Sequence, residues 1–504
     1  MKKFYYFILL LFLFGSSAAL KAQKDSTHFV FTIQTDTSDI GLTNDSSFFI
    51  NTDSKFLYDY DIDWNNDGIF DTTNVKRSIS HQYDSAGTYT IRIKGTFPRF
   101  FVTTGRRDDR EKLISIDQWG TIQWKSFHRA FTNCINMKLK TNDTPNLDSV
   151  TDLSYAFFKI NSLNESIEDW DVSAVQNMRF LFRETPFNQN IGNWDVSAVT
   201  NMSGMFWEVT NFNQNIGNWN TSNVENMWAM FNTATAFNQD IGNWDVSKVV
   251  EMGNLFLRAT SFNQDISNWD VSKAKYIYWM FHSASAFNQD IGNWKVDSVE
   301  LASGAFQNAT SFNQNLSKWN VSKVRDMSKM FSGAKNFNQD LGSWDINSID
   351  DYSSLLGLFD SSGLSMENYD NTLISWQNKP HPDSVRIGAW GMTFCSADSA
   401  RTQLINNDGW IFTGDSLVND CITGIKENNK TSALLTVYPN PTRGLLSINL
   451  QKNQELISIY NSNARLIKKL TLSKGINQID LSEYSNGIYF IRSGNQSEKV
   501  MVLH

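Results

Sequence analysis

The chain has 504 residues, a formal net charge of −8, 13% aromatic residues and 7 prolines. This composition is typical of a globular protein, and the length predicts several domains because one hydrophobic core does not grow to this size. An acidic chain without a Lys/Arg cluster argues against nucleic acid or an anionic membrane surface as a partner.

Residues 1–22 have the organisation of a signal peptide. Lys2 and Lys3 precede an apolar run from Tyr5 to Phe14, and small residues follow, with cleavage after Ala22 or, alternatively, Ala19. About ten apolar residues are too few to span a bilayer, and no later segment reaches eighteen. We therefore expect an exported, soluble mature protein without a transmembrane segment.

Residues 23–104 alternate apolar and polar positions in short runs, which predicts an antiparallel β-sandwich. The segments His81-Gln-Tyr83 and Ala86-Gly-Thr-Tyr-Thr-Ile91 resemble the end of a polycystic-kidney-disease (PKD) type Ig-like domain. The acidic segment 61–71 resembles a hairpin that such domains often carry.

This acidic segment is the candidate metal site. Its potential calcium ligands occupy positions 1, 3, 5, 7 and 9 of a calcium-loop pattern: Asp63, Asn65, Asp67, Ile69 (through its carbonyl) and Asp71. Position 12 is Asn74, so the bidentate Glu of such loops is missing. The alternative is a polar β-turn closed by Asn66-Asp67-Gly68. Calcium is the only cofactor that the sequence suggests.

A tryptophan recurs every 24 or 25 residues, each time in nearly the same sequence context. The eight obvious copies are Trp170, Trp194, Trp219, Trp244, Trp269, Trp294, Trp319 and Trp344. With this Trp as position zero, Ile or Leu recurs at −3, Phe at −7, and mostly Val, Met, Met and Phe at +5, +8, +11 and +12. Trp119 and Pro145 begin two further copies in the same frame, so ten stacked turns are expected.

Two periods coexist in each repeat. Ile-x-x-Trp-x-Val is typical of a short strand, whereas Val-x-x-Met-x-x-Met-Phe is typical of one face of a short helix, and Ser at +3 lies where a helix cap is wanted. We therefore predict an α/β leucine-rich-repeat-like solenoid over 105–421, including a C-terminal cap, flanked by two β-sandwich, Ig-like domains. A β-solenoid without helices is the alternative.

The recurring side chains are interpreted as structural. Asn at −6 satisfies backbone groups in a buried turn, and the Trp column belongs to the core. Recognition is expected from positions that differ between copies, +6, +7, +9 and +10, where Trp228, Tyr278 and Trp279 are the candidate binding residues.

The three cysteines are too few for a disulfide framework or a Cys-based zinc site. Cys395 and Cys421 flank the end of the repeats and are candidates for a disulfide. Cys134 is expected to pack in the core.

The phrase Phe237-Asn-Gln-Asp-Ile-Gly-Asn-Trp-Asp-Val-Ser247 resembles the repeats of BspA-family surface proteins, known as mycoplasma lipoprotein-type DUF285 repeats. The entry phrase Gln118-Trp-Gly-Thr-Ile-Gln-Trp124 shares the resemblance. It implies an exported surface protein, in some cases implicated in attachment to host or matrix molecules, and supplies no catalytic residues.

After a polar linker (422–433), residues 434–504 resemble the type A C-terminal sorting domain of type IX secretion cargo in Bacteroidota. The phrase Val437-Tyr-Pro-Asn-Pro-Thr-Arg-Gly444 and the short alternating strands that follow carry this resemblance. It implies recognition by the type IX secretion machinery, transport across the outer membrane, and removal of this domain. An ordinary terminal β-sandwich is the alternative.

No catalytic motif appears: the sequence has no HExxH, GxSxG, CxxC or phosphate-binding glycine loop, and its six His residues are scattered. We therefore expect a non-enzymatic, secreted or surface-displayed binding protein for an extracellular protein or glycan. A structural spacer is the alternative, and a carbohydrate-active enzyme ranks third.

Overall fold

The computed structural model describes residues 26–37, 45–102, 109–418, 421, 435–450, 453–462, 465–493 and 496–504. The predicted signal peptide and linker lie outside the described residues. Within these ranges, no helix is long and apolar enough to cross a membrane. The described residues fall into two compact units, one within Met1–Met392 and Ala400–Ser416, the other within Thr393–Ser399 and Leu417–His504.

The first unit begins with two sheets. Its strands are β1 (Phe29–Gln34), β2 (Ser47–Ile50), β3 (Asp59–Asp63), β4 (Thr72–Val75), β5 (Ile79–Gln82), β6 (Thr88–Thr96), β7 (Leu113–Gln118) and β8 (Lys138–Leu139). One sheet has the order β4-β3-β6-β1-β7-β8, and β2 pairs with β5. Strand alternation places Phe29, Phe31 and Ile33 of β1 in the core.

Strand β7 joins this sheet to the repeats. It pairs antiparallel with β1, where Phe31 faces Ile116, and parallel with β8 in the first repeat. The sheet therefore extends beyond residue 105, where the repeat region was predicted to begin.

Each repeat is a succession of β-turns closed by hydrogen bonds from N–H to the carbonyl three residues earlier. In the repeat of Trp244, the N–H of Trp244 donates to Ile241 O (3.1 Å) and that of Val249 to Val246 O (2.9 Å). Successive repeats meet at isolated parallel bridges, such as Asn226–Glu251 and Glu251–Tyr276.

The predicted α/β solenoid is therefore wrong. In the described residues the α-helices are α1 (Met366–Gln377) and α2 (Asp398–Asn406), both after the repeats. Consecutive turns bury every third residue much as a helix does, which explains the misleading spacing. Two left-handed residues four positions apart, at +10 and +14, such as Asn254 (φ 59°) and Arg258 (φ 55°), exclude a right-handed helix there. The alternative without helices also fails, because the repeats contain bridges instead of strands.

The Ser at +3 is likewise not a helix cap. The N–H of Ser247 donates to Asp245 Oδ1 (3.0 Å), forming an Asx-turn. Hydrogen bonds from the Ser247 hydroxyl and N–H lower the pKa of Asp245. Further Asx-turns occur where −4 or +7 is Asn or Asp, as at Asp240 with Gly242 and at Asn226 with Trp228.

The recurring Trp, Phe and Asn side chains join neighbouring repeats. Trp244 is buried, lies 6.2 Å from the ring of Trp219, and donates its Nε1–H to Ile216 O (3.1 Å). Asn263 Oδ1 accepts the N–H of Asn288 and the Nε2–H of Gln289, both at 2.9 Å. These Asn side chains are half-buried or exposed instead of buried, but they do satisfy backbone N–H groups.

The array ends at α1, which replaces the next repeat. Asn338 Oδ1 accepts the N–H of Ser365, the helix N-cap, and Trp376 donates its Nε1–H to Leu341 O. Three later elements lie in or extend from this end of the first unit: β9 (Arg386–Gly388), its parallel partner β11 (Ile411–Thr413), and α2. The short strands β10 (Thr393–Phe394) and β12 (Ser416–Leu417) follow β9 and β11 in the chain.

The second unit contains a disulfide between Cys395 and Cys421. Its strands are β13 (Leu435–Tyr438), β14 (Leu445–Leu450), β15 (Glu455–Asn461), β16 (Leu466–Leu472), β17 (Gly475–Asp480), β18 (Gly487–Ser493) and β19 (Gln496–Val502). They form two sheets, β13-β14-β17 and β16-β15-β18-β19, around a core that includes Ile448 and Ile459. Cys134, in the first unit, is buried and takes no part in this disulfide.

Candidate binding surface

One side of the stacked repeats carries residues that differ from copy to copy. We define the variable strip as positions +7, +9, +10, +13 and +14 of the repeats from Trp119 to Trp319. Between these positions, the side chains at +8, +11 and +12 are buried, as at Met252, Leu255 and Phe256.

Backbone hydrogen bonds hold the strip together. In the repeat of Trp244, the N–H groups at +8, +10, +12 and +14 donate to carbonyls of the next repeat at 2.7–3.0 Å. Side chains on the strip are therefore displayed from a fixed backbone and take no part in those bonds.

Aromatic rings of neighbouring repeats meet on the strip. The ring centres of Tyr155 and Phe180 are 4.9 Å apart, those of Phe180 and Trp207 5.8 Å, and those of Trp207 and Trp228 5.4 Å. Tyr155, Trp207 and Trp228 are half-buried, whereas Phe180 is buried beneath them. We call these four rings the aromatic patch.

Glycines in the next repeat make room for rings that lie across the strip. At Gly204 (φ +61°) an added Cβ would lie 2.2 Å from the ring of Phe180. At Gly304 (φ +59°) it would lie 2.1 Å from the ring of Trp279. Space requires glycine at both positions, since Asn254 and Trp279 hold the same left-handed backbone at the equivalent position of other repeats.

Three arginines lie over the aromatic patch. The guanidinium carbon of Arg183 is 3.8 Å from the ring centre of Trp207, that of Arg179 is 4.9 Å from Phe180, and that of Arg129 is 4.9 Å from Tyr155. Such cation–π pairs stabilise a partly solvated site by about 0.5–2 kcal/mol each. The patch is thus both aromatic and cationic.

Of the predicted binding residues, Trp228 belongs to the aromatic patch. Tyr278 is half-buried, and its hydroxyl lies close to the side chains of Trp228 and Glu251. Burial, followed by the charge of Glu251, raises the pKa of Tyr278 to about 12. Trp279 is 47% exposed beside them. The structure therefore brings Trp228 and Tyr278 together, while their role in binding stays a prediction.

Sequence reasoning missed Tyr155, Phe180 and Trp207. Tyr155 and Phe180 stand at +10, a position already regarded as variable, and Trp207 stands at +13, which was left out of the variable set. The repeat frame itself contained the signal, since aromatic residues at these positions interrupt otherwise small or polar columns.

In the candidate calcium loop, the carboxylates accept backbone hydrogen bonds. Asp63 accepts the N–H groups of Asp67 and Gly68, Asp67 accepts that of Ile69, and Asp71 accepts that of Trp64. Asn65 Oδ1 also accepts the N–H of Asp67. Among the residues that the structure describes, no group of three or more His, Cys, Asp or Glu side chains is arranged to hold a metal ion. Calcium binding here stays a prediction.

One Ser–His–Asp grouping lies beside the patch. His128 Nδ1 is 2.7 Å from Ser154 Oγ and 3.6 Å from Asp152 Oδ2. In a catalytic triad the hydroxyl and the carboxylate contact opposite ring nitrogens, whereas here both face Nδ1. Ser154 is also buried, so this grouping does not form a nucleophile–base relay.

Comparison with protein families gives two matches. The model described as "Mycoplasma protein of unknown function, DUF285" matches residues 125–236, 205–309 and 276–369. The model described as "Secretion system C-terminal sorting domain" matches residues 436–502. A comparison with curated proteins gives no match.

The repeats and the terminal β-domain together define an exported repeat protein. The chain contains DUF285 repeats and a type IX secretion sorting domain, which confirms the resemblance identified from the sequence. It is handled by the type IX secretion system and reaches the cell surface or the medium. Neither matched family is an enzymatic domain.

Proposed function

We propose that the protein is a non-enzymatic binding protein whose variable strip recognises a protein or glycan outside the cell. The observation that carries this proposal is the aromatic patch, with the neighbouring Trp279, on positions that differ between otherwise uniform repeats. Clustered, partly exposed aromatic and Arg side chains are enriched at recognition surfaces, where they dominate the binding energy.

The rigidity of the strip supports the same function. Its side chains project from turns that are fixed on both sides by backbone hydrogen bonds, so little ordering is needed when a ligand binds. The tight packing of Phe180 on Gly204 and of Trp279 on Gly304 further restricts the rings.

An array of extracellular matrix proteins and glycans, probed with the purified chain, tests the proposal. We expect at least one ligand to be bound, and we expect the triple variant Trp228→Ala/Tyr278→Ala/Trp279→Ala to bind it at least tenfold more weakly. Leu57→Ala is the control, because Leu57 is 89% exposed in the N-terminal region, outside the strip. If the unaltered chain binds nothing on the array, the protein is a structural spacer of the cell surface.

A further inference from the structure

We propose that the N-terminal end of the variable strip binds an anionic polysaccharide. Arg129 and Arg179 hold a carboxylate or sulfate group of the polymer, and Tyr155 packs against the adjoining sugar ring. This inference rests on the proposed function, for which it specifies the site and the ligand class.

Charge points to an anionic ligand. Arg129 and Arg179 are exposed, and their guanidinium carbons lie 4.9 and 5.9 Å from the ring centre of Tyr155. Neither side chain forms an ion pair or a hydrogen bond with any residue that the structure describes. Two such arginines around one ring stand out in a chain whose net charge is −8.

The neighbouring cations behave differently. Arg183 lies 2.9 Å from Glu184, and Lys159 lies 3.1 Å from the same carboxylate, so both cations have an acidic partner. Asp152, on the strip beside Tyr155, accepts the N–H of Ser154 and faces His128. Within the aromatic patch, Arg129 and Arg179 are therefore the arginines without an ion-pair partner among the described residues, and their planar guanidinium groups suit bidentate contacts with carboxylate or sulfate.

The ring arrangement favours a polymer of sugars. The C–H face of a pyranose packs on the face of an aromatic ring, and Tyr and Trp combine such a face with a polar edge. From Tyr155 the half-buried rings of Trp207 and Trp228 continue across neighbouring repeats above the buried Phe180, with centre distances of 4.9–5.8 Å along the row. Sugar units beyond the arginines can pack on Trp207 and Trp228.

Backbone saturation disfavours an extended peptide. The N–H groups of Arg129, Tyr155 and Phe180 already donate to carbonyls of the next repeat, each at 2.9 Å. The strip therefore offers no unpaired edge for the addition of a β-strand, the mode in which extended peptides gain most of their affinity.

Binding isotherms of the full chain with dextran sulfate and with uncharged dextran of equal length test the inference. We expect dextran sulfate, and polygalacturonate as a carboxylate polymer, to bind at least tenfold more tightly than dextran. Arg129→Gln/Arg179→Gln should weaken this binding at least tenfold, and so should Tyr155→Ala. Arg129→Lys/Arg179→Lys keeps the positive charge but loses the bidentate guanidinium group, so it should retain only part of the affinity.

The matched control is Arg258→Gln/Lys329→Gln, which removes the same charge from exposed strip positions of other repeats. It should change the affinity less than threefold. If both double variants lost affinity for dextran sulfate equally, net charge alone would explain the binding, and the inference would be overturned. Thermal unfolding of each variant verifies that the repeats remain folded.

The remaining outcomes separate this inference from the proposed function. If poly-glutamate binds as tightly as the polysaccharides, the ligand class is wrong. If the chain binds an array protein or a neutral glycan but no anionic polysaccharide, this inference fails and the proposed function stands. If it binds nothing at all, both fail.

Discussion

Asn263 illustrates how one side chain joins two repeats. Its Oδ1 atom accepts a backbone and a side-chain hydrogen bond from the following repeat, and the same pair of bonds recurs at Asn238 and Asn288. Asn recurs at this position because its Oδ1 atom accepts the same two hydrogen bonds from the following repeat each time.

We predict that Asn263→Ala destabilises the protein by about 0.5–1.5 kcal/mol, because the exposed N–H of Asn288 and the side-chain amide of Gln289 lose their acceptor. Asn243→Ala is the control: Asn243 is exposed, and its change should stay within about 0.5 kcal/mol. Urea unfolding followed by Trp fluorescence measures the difference. Equal effects of the two substitutions would contradict the proposed role of the ladder.

Gly204→Ala should be more damaging than its small volume suggests. The new Cβ would overlap the ring of Phe180, and this clash sets the cost, because Ala229 adopts the same left-handed backbone at the equivalent position. We expect a loss of about 1–3 kcal/mol in urea unfolding, together with changed near-UV circular dichroism from the displaced rings. Gly487→Ala, at a glycine whose Cβ would meet nothing, is the control. The double variant Phe180→Ala/Gly204→Ala should lose less than the sum of its single changes, because the clash is removed.

Three histidines predict acid sensitivity. Burial lowers the pKa of His81, His128 and His282 from the ordinary value of 6.5. As the pH falls through 6.5, the unfolded chain takes up protons that the folded chain does not, so stability is present above this pH and declines below it.

Thermal unfolding between pH 8 and pH 5 measures this decline. His128→Gln/His282→Gln should make the melting temperature less dependent on pH below 6.5, whereas exchange of the exposed His504 for Gln should leave the dependence unchanged. A melting temperature that stays constant down to pH 5 would contradict the prediction.

At the level of elements, each repeat forms the same bonds to its neighbours, so a whole repeat is dispensable. Deleting residues 249–273 joins position +4 of one repeat to +5 of the next and preserves every column. We expect a folded protein with a slightly lower melting temperature.

Deletion of residues 249–268 is the matched control, because it removes fewer residues from the same site but places Trp269 in a Val column. This variant should aggregate or lose cooperative unfolding. Circular dichroism and size-exclusion chromatography distinguish the outcomes, and similar behaviour of both deletions would contradict the stacking of equivalent repeats.

The buried columns were predictable from the sequence, since Ile, Trp, Val, Met and Phe recur at fixed positions and burial imposes such recurrence. The turns were not. Left-handed backbone at Trp279, Lys329 and Arg258 leaves no trace in residue type, because these residues show no preference for that conformation.

The candidate surface was predictable only in part. Trp228 and Tyr278 were identified as variable aromatics, but they stand two repeats apart, and they meet because Tyr278 lies across Gly253 of the repeat between them. The grouping of Arg129 with Arg179 around Tyr155 joins three repeats, and the backbone hydrogen bonds from Arg129 to Ser154 and from Tyr155 to Arg179 set its register.

For the whole molecule, the sorting domain determines where the chain ends up. Deleting residues 434–504 should leave the protein in the periplasm of a bacterium that has a type IX secretion system. Immunoblots of periplasmic, surface and medium fractions measure the distribution.

Deletion of residues 249–323, three repeats in register, is the control of similar length and should leave export intact. Unchanged export without residues 434–504 would show that the sorting domain is not the export signal. Retention of both variants would indicate that the deletions act through misfolding.

In this molecule, the atoms that bond one repeat to the next differ between the recurring part of the repeat and the variable strip. Between positions −6 and 0, side chains such as those of Asn263 and Trp244 bond one repeat to the next. The same residue types must therefore recur at these positions in each repeat. On the variable strip, main-chain atoms form the corresponding bonds, and the side chains at +9, +10, +13 and +14 are released from that duty. Residues on the variable strip can therefore be substituted one at a time while the backbone hydrogen bonds between repeats stay the same.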